Sequence, residues 1–185
     1  MSLLAIWRNA SSRRKRIYSI MAVFVVAFIV TFAGSLVTVS TEQAQQINDE
    51  LNQTLNTASQ SGALIQYIFG NNFFICLLMF IPILGPLFGL FVLFSTGTAV
   101  SAVATAQGFP SILALVALII TPIFWLEFAA YSTAMAESVW LFRRLIQGKT
   151  RGLHELRNAC IFLSICAVLL VIGAVTEAVL ISIGP

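Results

Sequence analysis

Between Arg16 and Arg143 the chain contains no lysine and no arginine. Its ten basic residues fall into two clusters. Arg8, Arg13, Arg14, Lys15 and Arg16 precede the first long apolar run, and Arg143, Arg144, Lys149, Arg151 and Arg157 precede the last. A soluble domain spreads charge over its whole surface, about a quarter of its residues. Here 9% of residues are charged and 59% are hydrophobic. This pattern excludes a soluble globular protein, a disordered chain and a nucleic-acid-binding module, because the basic clusters have no polar fold to carry them. It specifies an all-α, polytopic helical membrane protein forming a single integral membrane domain over residues 1–185. Lysine and arginine gather on cytoplasmic flanks. Residues 1–16 and 143–157 are therefore expected in the cytoplasm, with Arg13, Arg14, Lys15, Arg16, Arg143 and Arg144 as topology anchors in a plasma membrane. Ser12-Arg13-Arg14 echoes a twin-arginine signal, but the apolar run behind it is too long for a cleaved signal, which points to an uncleaved signal-anchor.

A helix needs about 20 apolar residues to cross the hydrocarbon core. Residues 17–39 and 158–183 supply such runs. If the first runs outward, residues 41–62 lie outside, and they carry Glu42, Asp49 and Glu50 with many amides and no base. Ser40 and Gln43 fit a capping box, and Ile47, Leu51 and Leu55 make one narrow stripe, so a short outer helix is expected over 41–62. Asn52-Gln53-Thr54 is a glycosylation sequon on that side, with Asn52 as its acceptor. The stretch from Asn71 to Phe142 must cross an odd number of times. Pro82, Gly85-Pro86, Gly97, Gly108 with Pro110, and Pro122 interrupt it. A proline inside a helix removes a backbone bond, and in lipid the freed groups need neighbouring protein or water. The expectation is five transmembrane helices in all, N-terminus cytoplasmic and C-terminus extracytoplasmic. The alternative is three plus re-entrant half-helices.

Within the apolar middle, Glu127 stands out. It lies about 24 Å from Arg143 along a helix, and a carboxylate at membrane depth costs about 2.5–3.5 kcal/mol on insertion scales. No basic residue in the spans can pair with it, so its partner should be a tyrosine, a hydroxyl, an asparagine, backbone or water. On a helix Glu127, Ala130, Tyr131, Ala134, Glu137 and Ser138 share one small, polar face. The bland reading is an interhelical hydrogen bond that fixes packing; the sharper one is an ion, proton or partner site. Glu137 lies near the cytoplasmic edge, where Arg144 or another basic residue would pair with it. Asn71 and Asn72 open the second apolar run, either as an N-cap or as an amide network. Gly85-xxx-Gly89 and the Gly97, Ser101, Thr105 stripe offer close helix contact.

Catalytic signals are missing. The one histidine, His154, sits in a basic loop beside Glu155. Cys76, Cys160 and Cys166 lack zinc spacing and read as packing residues. There is no nucleophile triad and no phosphate-cradling glycine loop, so the chain is read as no enzyme, with no catalytic residue, no metal and no cofactor.

Several of these residues together resemble the stage II sporulation protein M-like family of integral membrane proteins, over about residues 65–146. Asn71-Asn72 looks like the family's asparagine-rich helix start, and Gly85, Gly89 and Gly97 like its glycine-rich segments. Pro122 to Ala130, with Glu127, looks like its proline-led Pro-His-Gly-x-x-Glu helix. Ile123 stands where that pattern has histidine, Phe124 where it has glycine, and Thr96 where asparagine is common. The resemblance implies an integral membrane helper, since the founding member scaffolds cell-wall remodelling and some relatives look like accessory pieces of transport systems. With so small a chain and no catalytic set, the function expected is a non-catalytic scaffold or accessory subunit in a larger complex such as an oxidase, monooxygenase or transport system. Its partners would be the lipid bilayer and other integral membrane subunits, in a hetero- or homo-oligomer. The outer helix and aromatics such as Phe73, Phe74, Phe88, Phe91 and Phe94 would meet those partners. The alternative is a small oligomeric transporter or channel component using Glu127.

Overall fold

The computed structural model describes residues 10–146 and 152–183, without the side chains of Leu145 and residues 152–156. Arg8, Lys149 and Arg151 lie outside the described residues, as do the side chains of His154 and Glu155. Among the described residues there are seven helices and no strand: α1 (Ser12–Ser35), α2 (Thr41–Gln60), α3 (Leu64–Met79), α4 (Leu84–Ala106), α5 (Ser111–Ile120), α6 (Pro122–Ile146) and α7 (Gly152–Ile183).

The punctuation follows local chemistry. Ser11 and Ser40 cap α1 and α2 by accepting from the amides of Arg14 and Gln43, both at 3.4 Å. α2 and α4 end in left-handed glycines, Gly62 at φ 70° and Gly108 at φ 76°, the conformation that costs glycine least. Of the expected interruptions, Pro82 and Gly108 with Pro110 fall between helices and Pro122 opens α6, whereas Pro86 and Gly97 lie within α4. Pro86 occupies the first turn of α4, where no intrahelical donor is lost. Gly97 sits inside an unbroken α4 because another backbone passes there. The turn between α3 and α4 is abrupt. Leu84 donates to the Pro82 carbonyl at 2.9 Å around Ile83, whose φ of 71° is a strained value for a β-branched residue.

α1, α4 and α7 are each long and apolar enough to cross a membrane. α5 and α6 pass that test only as a pair, bent by 83° at their junction, a broken span or a re-entrant loop. α3, with 16 residues, spans about 24 Å, less than the roughly 30 Å of a hydrocarbon core. Three helices therefore qualify by length and composition, and four with the bent pair. Met79 and Gly85 meet Ser138 at the end of the bundle that holds Arg16, and Gly97 and Ser101 meet Thr31 and Val37 at the other end. This is a polytopic helical membrane fold in which α3 is short and the α5–α6 pair is broken.

α6 is the centre of the packing. Every residue from Tyr131 to Ser138 is buried, around the whole circumference of the helix. α1, α3, α4 and α7 surround it. Without a hydrophobic drive between helices in lipid, close packing of small residues holds such a contact, and this segment reads Tyr-Ser-Thr-Ala-Met-Ala-Glu-Ser. α4 presents Gly85, Gly89, Leu93, Gly97 and Ser101 at four-residue intervals, all buried. Gly85 and Gly89 lie against Ser138 and Met135 of α6. Gly97 lies against Thr31, Gly34 and Ser35 of α1, so close that an added methyl would strike the Thr31 carbonyl. Phe28, Phe124 and Phe128 fill the space between α1 and α6, with Phe124 and Phe128 stacked at 4.0 Å. The outward faces are apolar: Ile17, Met21, Val25 and Ile29 of α1 are each more than half exposed. Phe74, Phe91 and Phe94 are exposed as well, while Phe73 and Phe88 pack against the core.

Candidate functional site

Two carboxylates of α6 organise the polar interior. Pro122 starts α6 immediately after the bend, and one and a half turns later the helix presents Glu127. Asn72 of α3 donates to Glu127 Oε1 at 2.6 Å, so the partner is an asparagine amide. Asn71 donates in turn to Asn72 Oδ1 at 3.4 Å. The N-cap reading of the two asparagines is overturned. α3 begins at Leu64, and both asparagines sit in its interior, because the run Leu64 to Gly70 is itself helical. The amide network is what forms. Tyr131 lies one turn further along α6, buried in the core cluster. The opposite wall is α7, where Gly173 faces Leu126 and Glu127. Glu177, one turn beyond Gly173, is within electrostatic reach of Glu127. Glu127 itself remains partly exposed at the bundle surface.

Glu137 is held differently. Its Oε2 accepts from Arg16 Nη1 at 3.0 Å, and the carboxylate side chain is 1% exposed. Arg16 also lies over the Trp140 ring at 5.5 Å and the Phe162 ring at 5.8 Å. Trp140 Nε1 donates to Ser19 at 3.2 Å. Arg143 and Arg144 lie over Trp140 as well, at 5.8 and 5.9 Å. The two basic clusters thus converge on one end of the bundle around one tryptophan. Two expectations change here. Arg16 is no simple surface anchor, since it is buried and ion-paired, whereas Arg13 and Arg14 are exposed. Glu137 does not share its working face with Glu127, because it turns toward α1 while Glu127 turns toward α3 and α7.

Hydroxyls tie the remaining contacts. Ser138 Oγ donates to the Ile81 carbonyl at 2.6 Å, fastening the tight α3–α4 turn to α6. At the far end Ser101 Oγ donates to the Val37 carbonyl at 2.8 Å and lies 3.0 Å from Ser111 Oγ. Cys166 lies 3.3 Å from the Ala130 carbonyl, and the three cysteines are unbridged. No group of three or more metal-ligating side chains forms among the described residues. Sequence reasoning did not single out Thr31 and Gly34. Their signal was the spacing Thr31-xx-Gly34-Ser35, small residues on one face of an otherwise bulky α1.

The cavities around the bundle include four of about 250–430 Å³ among the described residues, and Glu127 lines none of these four. One is between α1, α6 and α7 at the basic end; the others involve α2, α4, α5 or the loop after α1.

A compact bundle with a polar, small-residue central helix, apolar outer faces and basic groups collected at one end defines an integral membrane protein of the polytopic helical class. The model of the stage II sporulation protein M (SpoIIM) family matches residues 20–180. The chain belongs to that family, over nearly its whole length rather than only the middle segment that the motifs suggested. No curated protein and no solved structure shows significant similarity to it.

Proposed function

We propose that this protein is a non-catalytic scaffold or accessory subunit that packs against partner membrane proteins, with its basic end in the cytoplasm and α2 outside. The observation that carries this reading is α2. It is a polar 20-residue helix folded onto α4 and α3, at the end of the bundle away from the basic residues. Ala44 and Ala58 are buried in that contact, and Ile47 and Leu55 are partly buried. The opposite face, with Gln45, Asp49, Asn52, Gln53 and Asn56, is exposed. A helix fastened on one side and rich in amides and carboxylates on the other presents hydrogen-bonding groups in fixed positions, which is what a docking partner needs. The sequon asparagine Asn52 is on this exposed side, while Thr54 is exposed on the flank that faces Tyr67 and Ala99. Within the bundle, Glu127 and Glu137 each bond a neighbouring helix, which supports packing as the role of the interior polar groups.

The test is a photo-crosslinking residue at Gln53, activated in native membranes, together with the native mass of the gently extracted assembly. The expected result is one discrete adduct and a mass above that of the single chain. Extraction as a free monomer with no adduct would overturn the proposal. The second reading, a transporter or channel component, is favoured by one observation: Glu127 and Glu177 approach each other on α6 and α7, and Glu127 keeps some exposure. It requires water to reach Glu127.

A further inference from the structure

We infer that the cleft between α1 and α7 at the basic end is a discrete binding site for one anionic phospholipid. The cleft, about 430 Å³, is lined by Ser12, Arg13, Arg16, Ile17 and Ile20 of α1, Arg144 of α6, and Asn158, Ile161 and Phe162 of α7. α1 and α7 both pack on α6 but scarcely on each other, so a gap remains between them. In lipid such a gap is filled, because unfilled volume forfeits contact with the atoms that line it.

The lining changes character along the helix axes in the same way on both sides. On α1, Arg13, Arg16, Ile17 and Ile20 follow one another at helical spacing on a single face, cationic first and apolar after. On α7, Asn158 precedes Ile161 and Phe162 in the same register. A phospholipid has this order of chemistry, an anionic headgroup and then acyl chain. Ile17 is 55% and Ile161 49% exposed, so the apolar part opens sideways toward the bilayer.

The polar part is built rather than incidental. Arg16 is nine-tenths buried, and Glu137, Trp140 and Phe162 fix its guanidinium. Arg144 is oriented over the same tryptophan. Arginine suits phosphate because its planar fork offers paired donors, and basic clefts between membrane helices take anionic headgroups in this manner. The first turn of α1 adds the positive end of a helix dipole. Arg14, on a different face of α1, does not line the cleft.

This inference stands apart from the scaffold reading, which concerns the opposite end of the molecule. The test uses the full chain in nanodiscs of equimolar phosphatidylglycerol and phosphatidylethanolamine, with bound lipid counted by native mass spectrometry after release. The expected result is one retained phosphatidylglycerol. Arg13→Gln should lower its occupancy about five-fold, the worth of one basic residue at an anionic surface, and Arg14→Gln should leave it unchanged. Because Arg13 is exposed and outside the ion pair, its replacement leaves the fold intact, and thermal unfolding of the variant in detergent checks this. Equal retention of the two lipids, or equal loss in both variants, would overturn the site and leave only a diffuse surface attraction.

Discussion

Glu127 and Glu137 lie on the same helix and receive opposite treatment. Glu137 is enclosed, with a guanidinium as partner and aromatic rings stacked behind that guanidinium. Glu127 has a neutral amide as its hydrogen-bond donor, a glycine on its far side and some exposure. In a low-dielectric setting a carboxylate deprived of its counter-charge is stranded, and the loss is large. A carboxylate held by an amide keeps a partner in either protonation state, since the amide both donates and accepts. The first arrangement locks helices together; the second leaves room for chemistry or for a partner.

This contrast can be tested by removing each group in turn. Glu137→Ala, which leaves Arg16 buried without its carboxylate, should destabilise the bundle most, by about 3–5 kcal/mol. Thermal unfolding in detergent reads this, and an unchanged midpoint would show that the ion pair holds nothing. Gly97→Ala should come next, because its methyl meets the Thr31 carbonyl and the Ser35 amide across the α1–α4 contact. The expected loss is about 1–3 kcal/mol, typical of overpacking. Gly70→Ala, at a glycine with open space beside it, serves as the control that should lose far less. Glu127→Gln should change stability least, by under about 1 kcal/mol, because the new amide can still accept from Asn72. Its companion, Glu127→Cys in a background lacking Cys76, Cys160 and Cys166, should resist a polar thiol reagent if Glu127 only packs. Rapid labelling, with altered flux in Glu127→Gln, would shift the reading to transport.

Much of the architecture was legible from residue patterns, and the failures have physical causes. Apolar run length and the two basic clusters suffice for the membrane class. The serine cap and apolar stripe suffice for α2, which ends within two residues of the expected boundary. The start of α3 was not legible, because Leu64 to Gly70 mixes a glutamine, a tyrosine and a glycine into an apolar run and hides the helix. The interruption at Gly97 was misread because a glycine that admits a crossing backbone looks, in one dimension, like a glycine that ends a helix. That the partner of Glu127 is uncharged followed from elimination, since no base was within the spans, but elimination did not choose asparagine over tyrosine, hydroxyl, backbone or water. The Arg16–Glu137 pair did not, because a basic residue in a terminal cluster carries no mark distinguishing an interfacial anchor from a buried one.

The central position of α6 bears on how the chain enters the bilayer. α6 does not qualify as a span without α5, and its buried stretch is crowded with hydroxyls and a carboxylate. Alone in hydrocarbon it would be a poor guest. Synthesis order favours it, since α1, α3 and α4 emerge first and can form a lined berth before α6 arrives, with α7 following to seal the remaining side. Insertion of this chain is then a matter of late accommodation rather than independent partitioning, and a helix too polar to cross by itself becomes its keystone.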